Sequence, residues 1–220
     1  MTLNDGGASR RRGLKDLVKA AAALLILILF ISAPAVAAET RLDVKPEELK
    51  RMSVFLSNFT ALGMMDFETA KLSRAELINF GIWHNYGNNY RSRIVPCKRE
   101  GCPFGGMTVD GKYVAESVKK YFGLKIREHG AVSANGLSYG YDGKLYHFDG
   151  ADGEAVYHAR VKEVYREDSG SLRMTGEVCC AEDELRAPKH GFTALARPWK
   201  YGGKNSWAII SFKAARSWFE

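Results

Sequence analysis

The spacing of the apolar residues changes along the chain, and this change constrains the fold more than any other feature of the sequence. Over residues 45–124 the apolar side chains recur every three or four positions, which is typical of helices with one buried face. Over residues 136–214 they alternate with polar side chains, which is typical of strands with one face in water. The sequence therefore predicts an α+β fold, with N-terminal helices packed on a curved antiparallel sheet of about six strands. Its order of elements is analogous to that of cystatin-like and NTF2-like architectures.

Residues that cap helices indicate where the predicted helices begin and end. Pro46 suits the first turn of a helix, because its missing N–H would have no partner there. Ser73 and Glu76 have the spacing of a capping box, in which each side chain bonds the other residue's backbone. Asp110 is a further N-cap candidate, and Gly123 suits the position just past a helix end. The segment between the second and third helices is predicted to be loop.

Short turns that contain glycine separate the predicted strands. Asp142 and Gly143 together are a strong signal for a two-residue hairpin. Gly170 closes a turn between the next two strands, and the pair Gly202 and Gly203 separates the last two. These turns connect strands that are adjacent in the chain, as an antiparallel sheet requires.

The leader, residues 1–38, has the layout of a secretory signal: a basic start, an apolar run and small residues at the end. We expect cleavage after Ala37 or Ala38, which leaves a single exported domain, residues 39–220, in the periplasm or outside the cell. The alternative is that the leader is retained as a membrane anchor, the only reading that gives the protein a membrane partner. Either general or twin-arginine export is compatible with the leader.

The charge of the chain argues against a nucleic-acid partner. The leader contributes five basic and two acidic residues, so the net charge of +7 for the whole chain becomes +4 for residues 39–220. A charge this small gives no broad basic surface for a phosphate backbone.

The four cysteines of an exported chain first suggest disulfide bonds. Cys97 and Cys102 enclose only four residues, and we predict that they form a bridge. Cys179 and Cys180 are adjacent, and they are either bridged to each other or left as thiols. The alternative is a metal site made of Cys97, Cys102, one of the adjacent pair and a histidine. A redox catalyst is disfavoured because the CxxC spacing is absent. We predict no metal and no cofactor from the sequence.

The histidines and the one GxSxG pattern give no clear catalytic motif. The five histidines are scattered along the chain, and only His147 and His158 lie in neighbouring predicted strands, where they could face each other. Residues 136–140 match GxSxG around Ser138, but they lead directly into a hairpin. A serine hydrolase needs a strand, a sharp turn and a helix at that place. We therefore interpret this segment as an ordinary strand.

Aromatic, amide and charged side chains crowd together at the end of the second predicted helix, which is typical of a surface that binds a glycan or peptide. Trp83 falls on the apolar stripe of the helix and is expected in the core. The predicted ligand contacts are His84, Asn85, Asn88, Asn89, Tyr90 and Arg91. The sequence thus favours a non-enzymatic exported domain that binds a peptide, a glycan or an envelope protein. The alternatives are an envelope hydrolase and a metal-binding or redox protein that uses the four cysteines.

Four segments of the chain, SVFLSNFT, ELINFGIWHNYGNN, YGYDGKLYHFDGADGE and WAIISFKA, resemble short exported or lipoprotein-type bacterial proteins with no assigned activity. The resemblance implies a location at the cell envelope and no particular reaction. The chain departs from the lipoprotein members because no cysteine precedes Cys97, so none can accept a lipid at the processing site.

Overall fold

The computed structural model describes residues 40–88, 92–150, 157–180 and 190–215. All of these belong to one unit, Ala38–Glu220. The leader and three of the predicted ligand contacts, Asn89, Tyr90 and Arg91, lie outside the described residues. Within them, the fold is α+β, with three α-helices and two antiparallel sheets.

The helices begin and end as their capping residues predict. The three helices are α1 (Pro46–Thr60), α2 (Arg74–Gly87) and α3 (Gly111–Phe122). The Glu76 backbone N–H donates to the Ser73 hydroxyl at 3.2 Å, and the Ser73 N–H donates to the Glu76 carboxylate at 2.7 Å. The Asp110 carboxylate accepts a hydrogen bond from the Lys112 N–H at 2.9 Å. Gly123 ends α3 in the left-handed conformation, with φ of 67°.

The strands alternate with the helices in the first part of the chain and follow one another in the second. In chain order they are β1 (Thr40–Arg41), β2 (Asp66–Glu68), β3 (Ile94–Pro96), β4 (Met107–Asp110), β5 (Val132–Ala134), β6 (Leu137–Tyr141), β7 (Leu145–Phe148), β8 (Tyr157–Arg166), β9 (Leu172–Cys180), β10 (His190–Tyr201) and β11 (Lys204–Ala214). A short 3-10 helix, Thr69–Lys71, follows β2.

The larger sheet has six strands in the order β1-β8-β9-β10-β11-β2. Helix α1 packs on β8 and bonds it through hydroxyl groups: the Val161 N–H donates to Ser53 and the Ala159 N–H donates to Ser57. These bonds satisfy backbone groups of β8 beyond its short pairing with β1, which involves only two residues of each strand. An aromatic cluster that includes Phe59 fills the core between the helices and this sheet.

The smaller sheet has five strands in the order β3-β4-β7-β6-β5 and forms a second core. Helix α2 serves both cores, because Phe80 packs with the larger sheet while Ile78 and Ile82 pack with the smaller one. Helix α3 lies close to α2 at Gly81. A Cβ atom on Gly81 would lie 2.6 Å from a methyl carbon of Val114, so only glycine permits this approach.

The second sheet corrects two predictions. The segment predicted as loop between α2 and α3 contains β3 and β4, which have three and four residues and are too short to show a period. The hairpin of β6 and β7, predicted to belong to a single curved sheet, pairs with β4 in the smaller sheet instead. A cystatin-like or NTF2-like architecture is therefore not confirmed. Among the described residues, no helix has the length and hydrophobicity needed to cross a bilayer.

Candidate metal centre

Two cysteines and one histidine converge beside the smaller sheet. The ligand atoms of Cys97, Cys102 and His147 all lie within 4.8 Å of one another. The Nδ1 atom of His147 is 3.3 Å from the Cys97 Sγ and 3.5 Å from the Cys102 Sγ. Both cysteines are half-buried, and the histidine is buried. The three residue types are ligands of soft and borderline metal ions.

The two cysteines lie in the loop between β3 and β4, and this loop places their sulfurs beside the histidine. Cys97 directly follows β3, and its N–H donates to the Gly106 carbonyl at 2.7 Å, which closes the loop just before β4. His147 lies on β7, paired with Thr108 of β4 on one side and with Gly140 of β6 on the other. The cysteines and the histidine therefore meet because β4 pairs with β7.

Close packing holds this loop against the sheet. The ring of Phe104 lies over Gly140, where a Cβ atom would be 2.3 Å from a ring carbon. Gly105, at φ of 105°, approaches the end of β7 so closely that a Cβ atom would be 2.4 Å from the Asp149 Cα. Both contacts need glycine, and both fix the loop on the face of the sheet that carries His147.

Asp142, in the turn between β6 and β7, holds the imidazole of His147 from its other side. The His147 Nε2 lies 3.0 Å from the Asp142 Oδ2. The second carboxylate oxygen, Oδ1, accepts hydrogen bonds from the backbone N–H groups of Lys144 and Leu145, at 2.9 and 2.7 Å. The Leu145 amide first, then His147, lowers the pKa of Asp142 to about 2, so this residue is a carboxylate at neutral pH.

A carboxylate accepts hydrogen bonds and donates none, so in the neutral form of the His147 imidazole the proton lies on Nε2. The lone pair of His147 is then on Nδ1, which faces the two sulfurs. Metal-binding histidines commonly donate a hydrogen bond from the ring nitrogen that faces away from the metal to a carboxylate. This bond fixes both the tautomer and the orientation of the ring.

The two sulfur–nitrogen distances are close to the corresponding edges of a zinc coordination tetrahedron. With Zn–S bonds of about 2.3 Å and Zn–N bonds of about 2.0 to 2.1 Å, a tetrahedron places sulfur and nitrogen ligands about 3.6 Å apart. The observed separations between Nδ1 and the sulfurs are 3.3 and 3.5 Å. Hydrogen bonding explains the cluster less well, because one imidazole lone pair faces two thiols and can accept a good bond from only one of them.

The other two cysteines do not contribute to this cluster. Cys179 and Cys180 lie on β9 in the larger sheet, where they pair with His158 and Tyr157 of β8. The structure therefore brings Cys97 and Cys102 together with a histidine, as the alternative metal site required, and places the adjacent pair in the other sheet. All four cysteines are free thiols in this structure, and the Cys97–Cys102 bridge stays a prediction for the mature protein.

The other two candidates from the sequence, the His147–His158 pair and Ser138, do not form a catalytic site. His147 and His158, which could have faced each other, lie in different sheets. Ser138 of the GxSxG pattern is an exposed residue of β6. Its hydroxyl lies 3.0 Å from the hydroxyl of Ser133 on the neighbouring strand, an ordinary cross-strand pair.

Of the predicted ligand contacts that the structure describes at the end of α2, two are buried and one is exposed. His84 and Asn85 are buried, with 2% and 0% of their surface exposed, and both bond the Ser117 hydroxyl at 3.0 Å. Neither side chain reaches a surface where a ligand could contact it. Asn88 is exposed and donates to the His84 carbonyl at 2.9 Å. Trp83 is half-buried, and its indole N–H donates to the Tyr139 hydroxyl at 2.6 Å.

Sequence reasoning did not identify His147 as the histidine beside the cysteines, or Asp142 as the partner of His147. A partial signal was present, because the hairpin turn predicted at Asp142 and Gly143 brings residue 142 near the start of the strand that carries residue 147. Nothing in the sequence indicated that this hairpin pairs with β4.

Comparison of the chain with protein-family models, with curated proteins and with solved structures finds no match in any of the three.

Proposed function

We propose that this protein is a zinc-binding domain whose site consists of Cys97, Cys102 and His147, with Asp142 as the outer-shell partner of the histidine. The observation that supports it is the position of the His147 Nδ1, which lies 3.3 and 3.5 Å from the two sulfurs. Export through the leader remains part of the proposal.

The ligand set favours zinc over harder cations. Magnesium and calcium prefer oxygen ligands, whereas two sulfurs and an imidazole suit zinc, which binds cysteine and histidine tetrahedrally. Two thiolates also balance the charge of one divalent cation, so the occupied site is electrically neutral apart from the Asp142 carboxylate.

In this proposal the bound metal stabilises the smaller sheet. It links the loop between β3 and β4 to β7, so one cation connects three strands of the smaller sheet. Because a metal that binds only the folded state stabilises it by mass action, zinc should raise the melting temperature of the reduced protein.

Zinc content measured by mass spectrometry tests the proposal. The full chain, purified under reducing conditions and dialysed against zinc, should retain about one equivalent. Separate Cys97→Ser, Cys102→Ser and His147→Gln variants should each bind zinc much more weakly in competition with a chromogenic chelator. Cys180→Ser is the matched control, because it removes a half-buried cysteine of the other sheet, and it should bind as the wild type does. Equal zinc binding by all four variants would contradict the proposal.

A further inference from the structure

We propose that the cysteine pair of this zinc site, Cys97 and Cys102, is also a thiol–disulfide switch: oxidation to a disulfide releases the metal, and reduction restores binding. The inference rests on the proposed zinc site and names a regulation of it. It connects two observations, the disulfide spacing in the sequence and the metal-like geometry in the structure.

The two sulfurs are not at bonding distance, but the movement that a bridge requires is short. They lie within 4.8 Å of each other, and a disulfide bond is about 2.05 Å long, so each sulfur needs to move by at most about 1.4 Å. Gly101, between them, already turns the backbone in the left-handed conformation at φ of 62°.

Solvent access distinguishes this pair, in which both cysteines are half-buried, from the adjacent pair, in which only Cys180 is half-buried. Cys97 and Cys102 are both half-buried and lie in a loop, so a small-molecule disulfide can reach them. Cys179, in contrast, is buried with 1% of its surface exposed, within a long strand of the larger sheet. Thiol–disulfide exchange requires access of an attacking sulfur to its target, so oxidation should occur first at the loop pair.

The two states exclude each other chemically. Zinc is bound by thiolates, and a disulfide sulfur has lost the negative charge that makes it a strong ligand. After bridging, only His147 of the three ligands remains able to bind. A single imidazole cannot hold zinc against the competing water and buffer of the solution.

The exchange balances with a small-molecule disulfide as oxidant. One cysteine sulfur attacks the small disulfide, forms a mixed disulfide and expels one thiolate. The second cysteine sulfur then attacks the mixed disulfide, closes the Cys97–Cys102 bond and expels the other thiolate. The cysteine pair loses two electrons and the small disulfide gains them. The two expelled thiolates take up two protons from water, and Zn²⁺ leaves without a change in oxidation state.

An export route would make this switch relevant, because oxidised thiols persist in exported compartments and reduced ones in the cytosol. In the exported protein the bridged form then predominates under oxidising conditions, and zinc binding follows local reduction of the pair.

Titration of the zinc-loaded full chain with oxidised glutathione tests the switch. Released zinc is followed with a chromogenic chelator, and the bridges are mapped by non-reducing peptide mass spectrometry. We expect one zinc released for each pair of thiols lost, a mapped Cys97–Cys102 bond, and recovery of zinc binding after dithiothreitol is added and removed. Cys180→Ser, which leaves the loop pair intact, should behave as the wild type does.

Two results would overturn the switch while leaving the zinc site in place: retention of zinc after the Cys97–Cys102 bond has formed, or release of zinc with both loop thiols still free. A bridge from either loop cysteine to Cys179 or Cys180 would also overturn it. If the fully reduced chain binds no zinc at the outset, the proposed zinc site itself fails and the switch fails with it.

Discussion

At the scale of single residues, Asp142 has two separable tasks. Its Oδ1 accepts two backbone hydrogen bonds and so stabilises the turn between β6 and β7. Its Oδ2 accepts from the His147 Nε2 and so leaves the Nδ1 lone pair free for a metal. One carboxylate therefore determines both the turn and the tautomer of the histidine.

Replacing Asp142 with asparagine should separate these tasks. If the amide oxygen keeps the turn, the amide N–H₂ faces Nε2, which must then accept a hydrogen bond, and the imidazole proton moves to Nδ1. We expect Asp142→Asn to weaken zinc binding about 10- to 100-fold. Long-range ¹⁵N NMR of the metal-free protein should show the proton on Nε2 in the wild type and on Nδ1 in the variant.

The matched control is Asp168→Asn, in the turn that precedes β9, which should leave zinc binding unchanged. Wild-type zinc affinity in Asp142→Asn, together with an unchanged His147 tautomer, would show that the carboxylate does not orient the ligand.

His84 gives a residue-scale prediction about pH. Burial first, then the charges of Lys120 and Arg93, lowers the pKa of His84 from 6.5 to about 3. Below pH 6.5 the unfolded chain protonates this imidazole while the folded protein does not, so stability should fall as pH decreases from 6.5 toward 3.

We therefore expect His84→Gln to lose less stability than the wild type between neutral pH and about pH 4.5, by roughly 2 to 3 kcal/mol. Urea unfolding at the two pH values measures this difference. Val54→Ala, at an exposed position of α1, is the control and should keep the wild-type pH dependence. An identical loss of stability in His84→Gln and in the wild type would mean that His84 does not cause the pH dependence.

At the scale of elements, the contact between α2 and α3 depends on one residue without a side chain. A Cβ atom at Gly81 would lie 2.6 Å from the Val114 Cγ1 and 2.8 Å from the Val114 carbonyl oxygen, and the oxygen belongs to a rigid backbone. We expect Gly81→Ala to push the helices apart and destabilise the protein by about 1 to 3 kcal/mol in urea unfolding.

Gly87 provides the comparison within the same helix. A Cβ atom there would have its nearest neighbour at 4.0 Å, an ordinary contact, so Gly87→Ala should leave stability nearly unchanged or raise it slightly. Equal effects of the two substitutions would mean that the approach of the helices does not depend on Gly81.

The accuracy of sequence-based reasoning also differs by element. Helix ends were predictable because capping is local: Ser73 and Glu76 are three residues apart and satisfy each other directly. The long strands of the larger sheet were predictable from their alternation. Strands β3 and β4 were not, since their three and four residues are too few to show a period and their pairing is decided by β7, far along the chain.

The candidate site was only partly predictable for the same reason. The spacing of Cys97 and Cys102 indicated that they act together, as a bridge or as ligands. Their meeting with His147 depends on the pairing of β4 with β7, which periodicity does not encode. At Asn85, a polar side chain predicted to bind a ligand is instead buried, because it bonds the Gly81 carbonyl and the Ser117 hydroxyl.

At the scale of the whole molecule, the described residues form two cores that share helices α2 and α3. Four strands of the larger sheet have nine to twelve residues, whereas the smaller sheet has strands of three to five residues. The candidate site lies on the smaller sheet, where short strands supply few backbone hydrogen bonds. A cation that links the β3–β4 loop to β7 would add a connection where the fold has fewest of its own.

Zinc K-edge X-ray absorption of the reduced, zinc-loaded full chain measures the ligands of the metal itself. A site made of Cys97, Cys102 and His147 should give a shell of two sulfur atoms at about 2.3 Å and a shell of nitrogen or oxygen at about 2.0 to 2.1 Å with the multiple scattering of an imidazole. A spectrum with oxygen and nitrogen ligands and no sulfur shell would contradict it.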